Sequence, residues 1–122
     1  MAKILIIDDE EDILELLTML LVQENHDVSV AQDGIDGLHR HKAEKFDLII
    51  TDIVMPNKDG VEFISELNNS GDHTPIIVIS GGNRHVGGEF NLVSASTLGV
   101  ETILKKPFGN DELIEAINRI LL

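Results

Sequence analysis

Asp8 and Asp9 directly follow the apolar run Ile4-Leu5-Ile6-Ile7, and Asp52 stands at the end of a second run, Leu48-Ile49-Ile50. If both runs are neighbouring buried strands, their ends lie side by side and three carboxylates crowd one small pocket. Like charges in a partly desolvated space raise one another's pKa or recruit a counter-charge. Hard oxygen donors suit Mg²⁺, which takes one or two carboxylates and keeps several waters. Two more apolar runs end on reactive groups: Ser80 closes Ile76–Ile79, and Lys105-Lys106-Pro107 follows the run around Thr102–Leu104. A hydroxyl and an ammonium facing a metal-bearing carboxylate could hold the equatorial oxygens of a phosphoryl group, whose transfer depends on positioning and charge neutralisation. The carboxylate itself would then be the acceptor.

Each residue also has an ordinary reading. Asp9 with Glu10, Glu11 and Asp12 would suit the acidic first turn of a helix, where the dipole favours negative charge. Asp52 could serve a turn before Met55-Pro56, Ser80 could bond local backbone, and Lys105-Lys106 could be a solvated pair. The histidines (26, 39, 41, 73 and 85) include no i, i+4 pair, and His39 and His41 fall on different sides of a helix, so solvated or locally bonded roles are expected. Gly81-Gly82 and Gly87-Gly88 lack the Gly-Lys-Ser/Thr ending of a nucleotide loop.

The elements that must carry these residues are legible as alternating patterns. Strand-length apolar runs recur at Ile4–Ile7, around Val28–Ala31, at Leu48–Ile50, at Ile76–Ile79 and around Thr102–Leu104. The first, third and fourth are continuous rather than alternating, as in parallel strands covered on both faces. Ile13, Leu16, Leu17, Leu20 and Leu21 repeat at helical spacing, as do Leu113, Ile114, Ile117, Ile120 and Leu121. Residues 34–45, 60–69 and 89–98 read as weaker helices, and Asn110 before Asp111-Glu112 reads as an N-cap. Five βα units predict an α/β fold: a doubly wound, flavodoxin-like parallel sheet of order 2-1-3-4-5 in three α/β/α layers. Strands 1 and 3 are then neighbours, and the ligand crevice lies outside their carboxyl ends, where Asp8, Asp9 and Asp52 fall.

Length and charge narrow the function. At 122 residues, 43% of them hydrophobic, the chain is expected to form one domain over residues 1–122. A net charge of −13 argues against direct nucleic-acid binding and favours a basic partner. There is no cysteine, no run long enough to span a bilayer and no signal-peptide pattern after Met1-Ala2-Lys3, so a cytoplasmic location without membrane attachment is expected.

With these motifs in place the chain resembles the receiver domains of two-component response regulators over essentially its whole length. The resemblance rests on Asp8-Asp9, on Asp52-Ile53-Val54-Met55-Pro56 followed by Asp59-Gly60, on Ser80, and on Lys106-Pro107-Phe108. It implies that Asp52 accepts a phosphoryl group from a phosphohistidine of a sensor histidine kinase or phosphotransfer protein. It implies Mg²⁺ held by Asp9, Asp52 and the backbone carbonyl of Val54, with Asp8 acting through water. Ser80 and Lys106 would bind the phosphoryl oxygens, Lys106 rather than Lys105 because the family's lysine directly precedes the proline. A cis Lys106-Pro107 peptide is also implied and fits the small cost of cis before proline. The expected docking surface is the first helix around Glu15–Met19 together with Phe108-Gly109. The surface that changes would comprise the stretch 89–98, the fifth strand and the C-terminal helix. A downstream output domain or protein would read it, through a monomer or a phosphorylation-dependent homodimer.

Two departures concern readout. The family's aromatic switch position, three residues before the site lysine, is Ile103, and the chain has no Tyr or Trp. The segment from Ser80 to Lys106 is a few residues longer than is common, and its glycine-rich stretch 81–88 is expected to be mobile. Val54 and Gly82, two residues after Asp52 and Ser80, offer no side chain to orient a water, so slow autodephosphorylation is expected. Self-phosphorylation and autodephosphorylation are then its only chemistry, and the chain is expected not to be an enzyme. The rivals are a Mg²⁺-dependent phosphohydrolase with an aspartyl nucleophile and a receiver fold used only as an interaction module. Against the first, Val54 stands where such hydrolases carry a second acid.

Overall fold

The computed structural model describes residues 2–53, 59–81 and 99–122. The strands are β1 (Lys3–Ile7), β2 (Asp27–Ala31), β3 (Leu48–Asp52), β4 (Ile76–Gly81) and β5 (Thr102–Lys106). The helices among the described residues are α1 (Glu11–Gln23), α2 (Gly34–Ala43), α3 (Gly60–Asn69) and α4 (Asn110–Leu121). All strand pairs are parallel, in one sheet of order β2-β1-β3-β4-β5. The expected helix 89–98, the glycine stretch from Gly82 onward, and Val54 lie outside the described residues.

The continuous apolar runs do what parallel strands require, because residues of alternate parity feed two separate cores. Ile4, Ile6, Leu48, Ile50, Ile77 and Ile79 pack with Leu14, Leu17 and Leu21 of α1 and Leu113 and Ile117 of α4. Leu5, Ile7, Ile49 and Val78 pack on the opposite face with Leu38 of α2 and Phe63, Ile64 and Leu67 of α3. Each such side chain, fully buried, contributes roughly 1.5–3 kcal/mol from its lost water contact. On the α2 side the approach is close: a Cβ at Gly37 would stand 2.5 Å from Ile7 Cδ1.

Two local expectations need correction. The N-cap of α4 is Gly109, not Asn110, which lies inside the helix. Gly109 takes extended backbone, and Glu112 reaches back to accept its N–H at 3.4 Å, so the capping comes from the first turn itself. Helix α1 begins at Glu11, so Asp9 precedes it and is not part of the acidic first turn, which consists of Glu11 and Asp12.

The amino ends of the strands carry a polar cluster that sequence spacing concealed. His39 is exposed, whereas His41 is buried; its Nε2 lies 2.9 Å from Asp72 Oδ2 and 3.2 Å from Thr74 Oγ1. Burial opposes ionisation of Asp72, but bonds from the Thr74 hydroxyl and amide, Lys45 and His41 outweigh it and hold the carboxyl well below the usual range. The Thr74 hydroxyl donates to Asp72 Oδ1 at 2.6 Å. Thr74→Val is therefore expected to lower stability by about 1 kcal/mol, the ordinary net value of such a bond. Urea denaturation measures this, and reactions at the opposite, carboxyl end of the sheet should proceed unchanged.

Candidate functional site at the carboxyl end of the sheet

Register brings the reactive residues together. Ile7 pairs with Thr51, so the next residues along β1 and β3, Asp8 and Asp52, emerge side by side. Asp52 also pairs with Ile79 of β4, one residue before Ser80, and Gly81 pairs with Lys106. One carboxylate oxygen from each of Asp8, Asp9 and Asp52 lies within 4.8 Å of the others. Asp8 and Asp52 are buried, and Asp9 and Ser80 are half-buried.

Lys106 supplies the counter-charge. Its Nζ lies 3.7 Å from Asp8 Oδ2 and 3.7 Å from Asp52 Oδ2, while Lys105 is exposed. The Lys106-Pro107 peptide is cis. Backbone donors fix the other oxygens: Glu10 N–H donates to Asp8 Oδ1 at 2.9 Å, and Ile53 N–H to Asp52 Oδ1 at 2.7 Å. Neither donor is visible in a motif, because any residue type could provide it.

Burial and the neighbouring acid both act on Asp8. Burial is the largest influence and raises its pKa; the Glu10 N–H lowers it, the Asp52 charge raises it and Lys106 lowers it, leaving the carboxyl pushed up to about 6. Its Oδ2 is buried with no hydrogen-bond partner, although Lys106 stands near. A buried carboxylate oxygen without a hydrogen bond, beside two more hard oxygen donors, fits a small divalent cation.

A doubly wound sheet with an acidic trio, a hydroxyl and a lysine at its carboxyl edge is an arrangement chemically able to hold a cation and an anionic group together. The chain belongs to the response regulator receiver domain family, whose sequence pattern matches residues 4–118. It is thereby a receiver domain of the two-component type, a phosphorylatable signalling switch, and such proteins signal rather than act as classical enzymes. Among its relatives, the alkaline phosphatase synthesis transcriptional regulatory protein PhoP of Bacillus subtilis is 34% identical over 98% of this chain and 48% of its own length. The response regulator ArlR of Staphylococcus saprophyticus is 31% identical over 99% of this chain and 53% of its own. The chain thus spans about half the length of the curated relatives it matches. A receiver domain protein from Clostridium thermocellum superposes with a TM-score of 0.87 at 31% identity, covering 99% of this chain and 94% of that one. The chemotaxis response regulator CheY4 of Vibrio cholerae gives 0.85 at 27%, covering 98% of each chain. No helix among the described residues is long and apolar enough to cross a membrane.

Proposed function

We propose that Asp52 is the phosphoacceptor of this receiver and that Asp8, Asp9, Ser80 and Lys106 serve its reaction. The observation that carries the reading is the position of Lys106 Nζ, equidistant from Asp8 and Asp52 at 3.7 Å. An ammonium there neutralises the buried charge at rest and can turn to phosphoryl oxygens when they arrive. Asp52 Oδ attacks the phosphorus of a phosphohistidine, the P–N bond breaks, and its electron pair returns to the imidazole. The Ser80 hydroxyl donates to a phosphoryl oxygen. In the later, hydrolytic half, water attacks the phosphorus, the acyl O–P bond breaks with its electron pair returning to the Asp52 carboxylate, and inorganic phosphate leaves with the proton of the water passing to solvent.

Mg²⁺ would be held by Asp9, Asp52 and the Val54 carbonyl, with Asp8 acting through water, and when bound it supplies charge neutralisation between carboxylate and phosphoryl oxygens. The partners on this reading are a sensor histidine kinase or phosphotransfer protein upstream and an output domain or protein downstream. The test is incubation with acetyl phosphate and Mg²⁺ followed by intact mass. A single adduct of about 80 Da that needs the cation is expected, since phosphorylation adds one phosphoryl group. No adduct would sink the reading.

A groove of about 330 Å³ supports docking of the phosphodonor beside the site, lined by Ile13, Leu16 and Leu17 of α1 and by Lys106, Pro107 and Phe108. Leu16, which lines this groove, is 55% exposed and available to an apolar partner. Leu16→Glu is expected to slow phosphotransfer from the cognate kinase by roughly tenfold, the effect of losing one apolar anchor. Modification by acetyl phosphate should be unchanged, and equal slowing of both would show damage to the site instead.

A further inference from the structure

The backbone beneath Asp52 is clamped from two sides by residues with no part in the constellation above. Thr51 is fully buried in β3, and its hydroxyl donates to the Asp52 carbonyl oxygen at 2.9 Å. On the other side, α3 begins directly against the same peptide. The Gly60 N–H donates to the Ile53 carbonyl at 2.8 Å. A Cβ at Gly60 would lie 2.4 Å from the Asp52 carbonyl oxygen and 2.9 Å from Ile53 Cα, both backbone atoms that no rotamer change can move aside. The start of α3 is itself pinned, because Asp59 accepts from the Glu62 N–H at 2.9 Å and Glu62 accepts from the Asp59 N–H. Between these contacts the Asp52-Ile53 peptide is held so that the Ile53 N–H meets Asp52 Oδ1 at 2.7 Å.

We infer that Thr51 and Gly60 are positioning residues for Asp52: the Thr51 hydroxyl tethers its carbonyl, and the bare Cα of Gly60 lets α3 seat against it. The inference rests on Asp52 as the reacting carboxylate. A polar hydroxyl in a buried strand position, where Val would pack as well, points to a role for the oxygen itself. A carboxylate must meet phosphorus in line, and small misplacements of a reacting group are costly to rate.

The test uses Thr51→Val, Thr51→Ser and Gly60→Ala in the full chain, with two readouts. The first is the rate of modification by acetyl phosphate at saturating donor and Mg²⁺. Thr51→Val is expected to slow it about three- to tenfold, as befits one lost buried hydrogen bond, with the half-saturating donor concentration unchanged. Thr51→Ser restores the rate because it keeps the hydroxyl. Gly60→Ala is expected to be slower still. The second readout is hydrogen exchange of the Ile53 amide, which needs no phosphorylation. It should quicken several-fold in Thr51→Val and return in Thr51→Ser, while amides of Leu5 and Ile50 stay protected. Wild-type rates and exchange in Thr51→Val, or equal slowing in Val and Ser, would overturn the inference. Failure of the wild type to be modified would instead count against Asp52 as acceptor, and the exchange result would still decide whether these residues hold its peptide.

Discussion

Asp52→Asn is expected to abolish the phosphoryl adduct, a loss on the order of a hundredfold or more, equivalent to at least about 3 kcal/mol of barrier. A neutral amide oxygen is a poor nucleophile, and the substitution also removes the charge that Lys106 faces at 3.7 Å. The variant should fold, because Asn fills the same volume and relieves like-charge repulsion with Asp8, whose carboxyl the Asp52 charge helps to raise. Intact mass after acetyl phosphate and Mg²⁺, with peptide mapping of any residual adduct, is the measurement. An adduct of undiminished yield in the variant would move the acceptor elsewhere. Residual modification mapped to Asp8 or Asp9 would show that the pocket binds the donor and that the choice of nucleophile is one of placement.

The second large effect concerns Asp8 and the cation. Burial, with the Asp52 charge adding to it, pushes its carboxyl up to about 6 from 3.8. A raised folded-state pKa means that the stabilising contribution is fully present below the unfolded value and is lost as pH rises through about 6. Metal-free protein is therefore expected to lose roughly 2–3 kcal/mol at this group between pH 4 and pH 7.5. Mg²⁺ competes with that proton, so its stabilising effect should be larger at pH 7.5 than at pH 5. The informative comparison is with Asp8→Asn, which removes this one ionisable group. That variant should be more stable than wild type by about 2 kcal/mol in chelator at pH 7.5, and should gain less from Mg²⁺. Urea denaturation at both pH values, with chelator or Mg²⁺, measures this. A variant less stable than wild type in chelator at neutral pH would contradict it.

Local signals sufficed for much of this receiver. Continuous apolar runs can be buried on both faces only in a parallel sheet, and their regular alternation with amphipathic helices restricts the topology to a few right-handed windings. That is why Asp8, Asp52, Ser80 and Lys106 could be placed at strand ends, and why Asp8 and Asp52 could be set side by side before any coordinates. The family pattern in the same residues supplied their proposed roles. Several boundaries were less legible: Gly109 caps α4 because a neighbouring glutamate reaches its amide, and β4 runs to Gly81 because a parallel partner continues beside it.

Tertiary structure alone settled the energetics of those residues. The family pattern in the sequence already implies Lys106 rather than Lys105; the structure adds its 3.7 Å distances to Asp8 and Asp52, which follow from the alternation of side chains along the strand and its pairing with Gly81. The raised carboxyl of Asp8 depends on how deeply the chain buries it, a property of packing that no motif encodes. His41 and Asp72 meet across 31 positions, and Gly60 meets Asp52 across a connection of seven residues. A periodic pattern reports which face a residue occupies, since that follows from local backbone geometry. Distances between residues far apart in the chain arise only when the cores close, and in this protein they set the charge at Asp8 and the placement of Asp52.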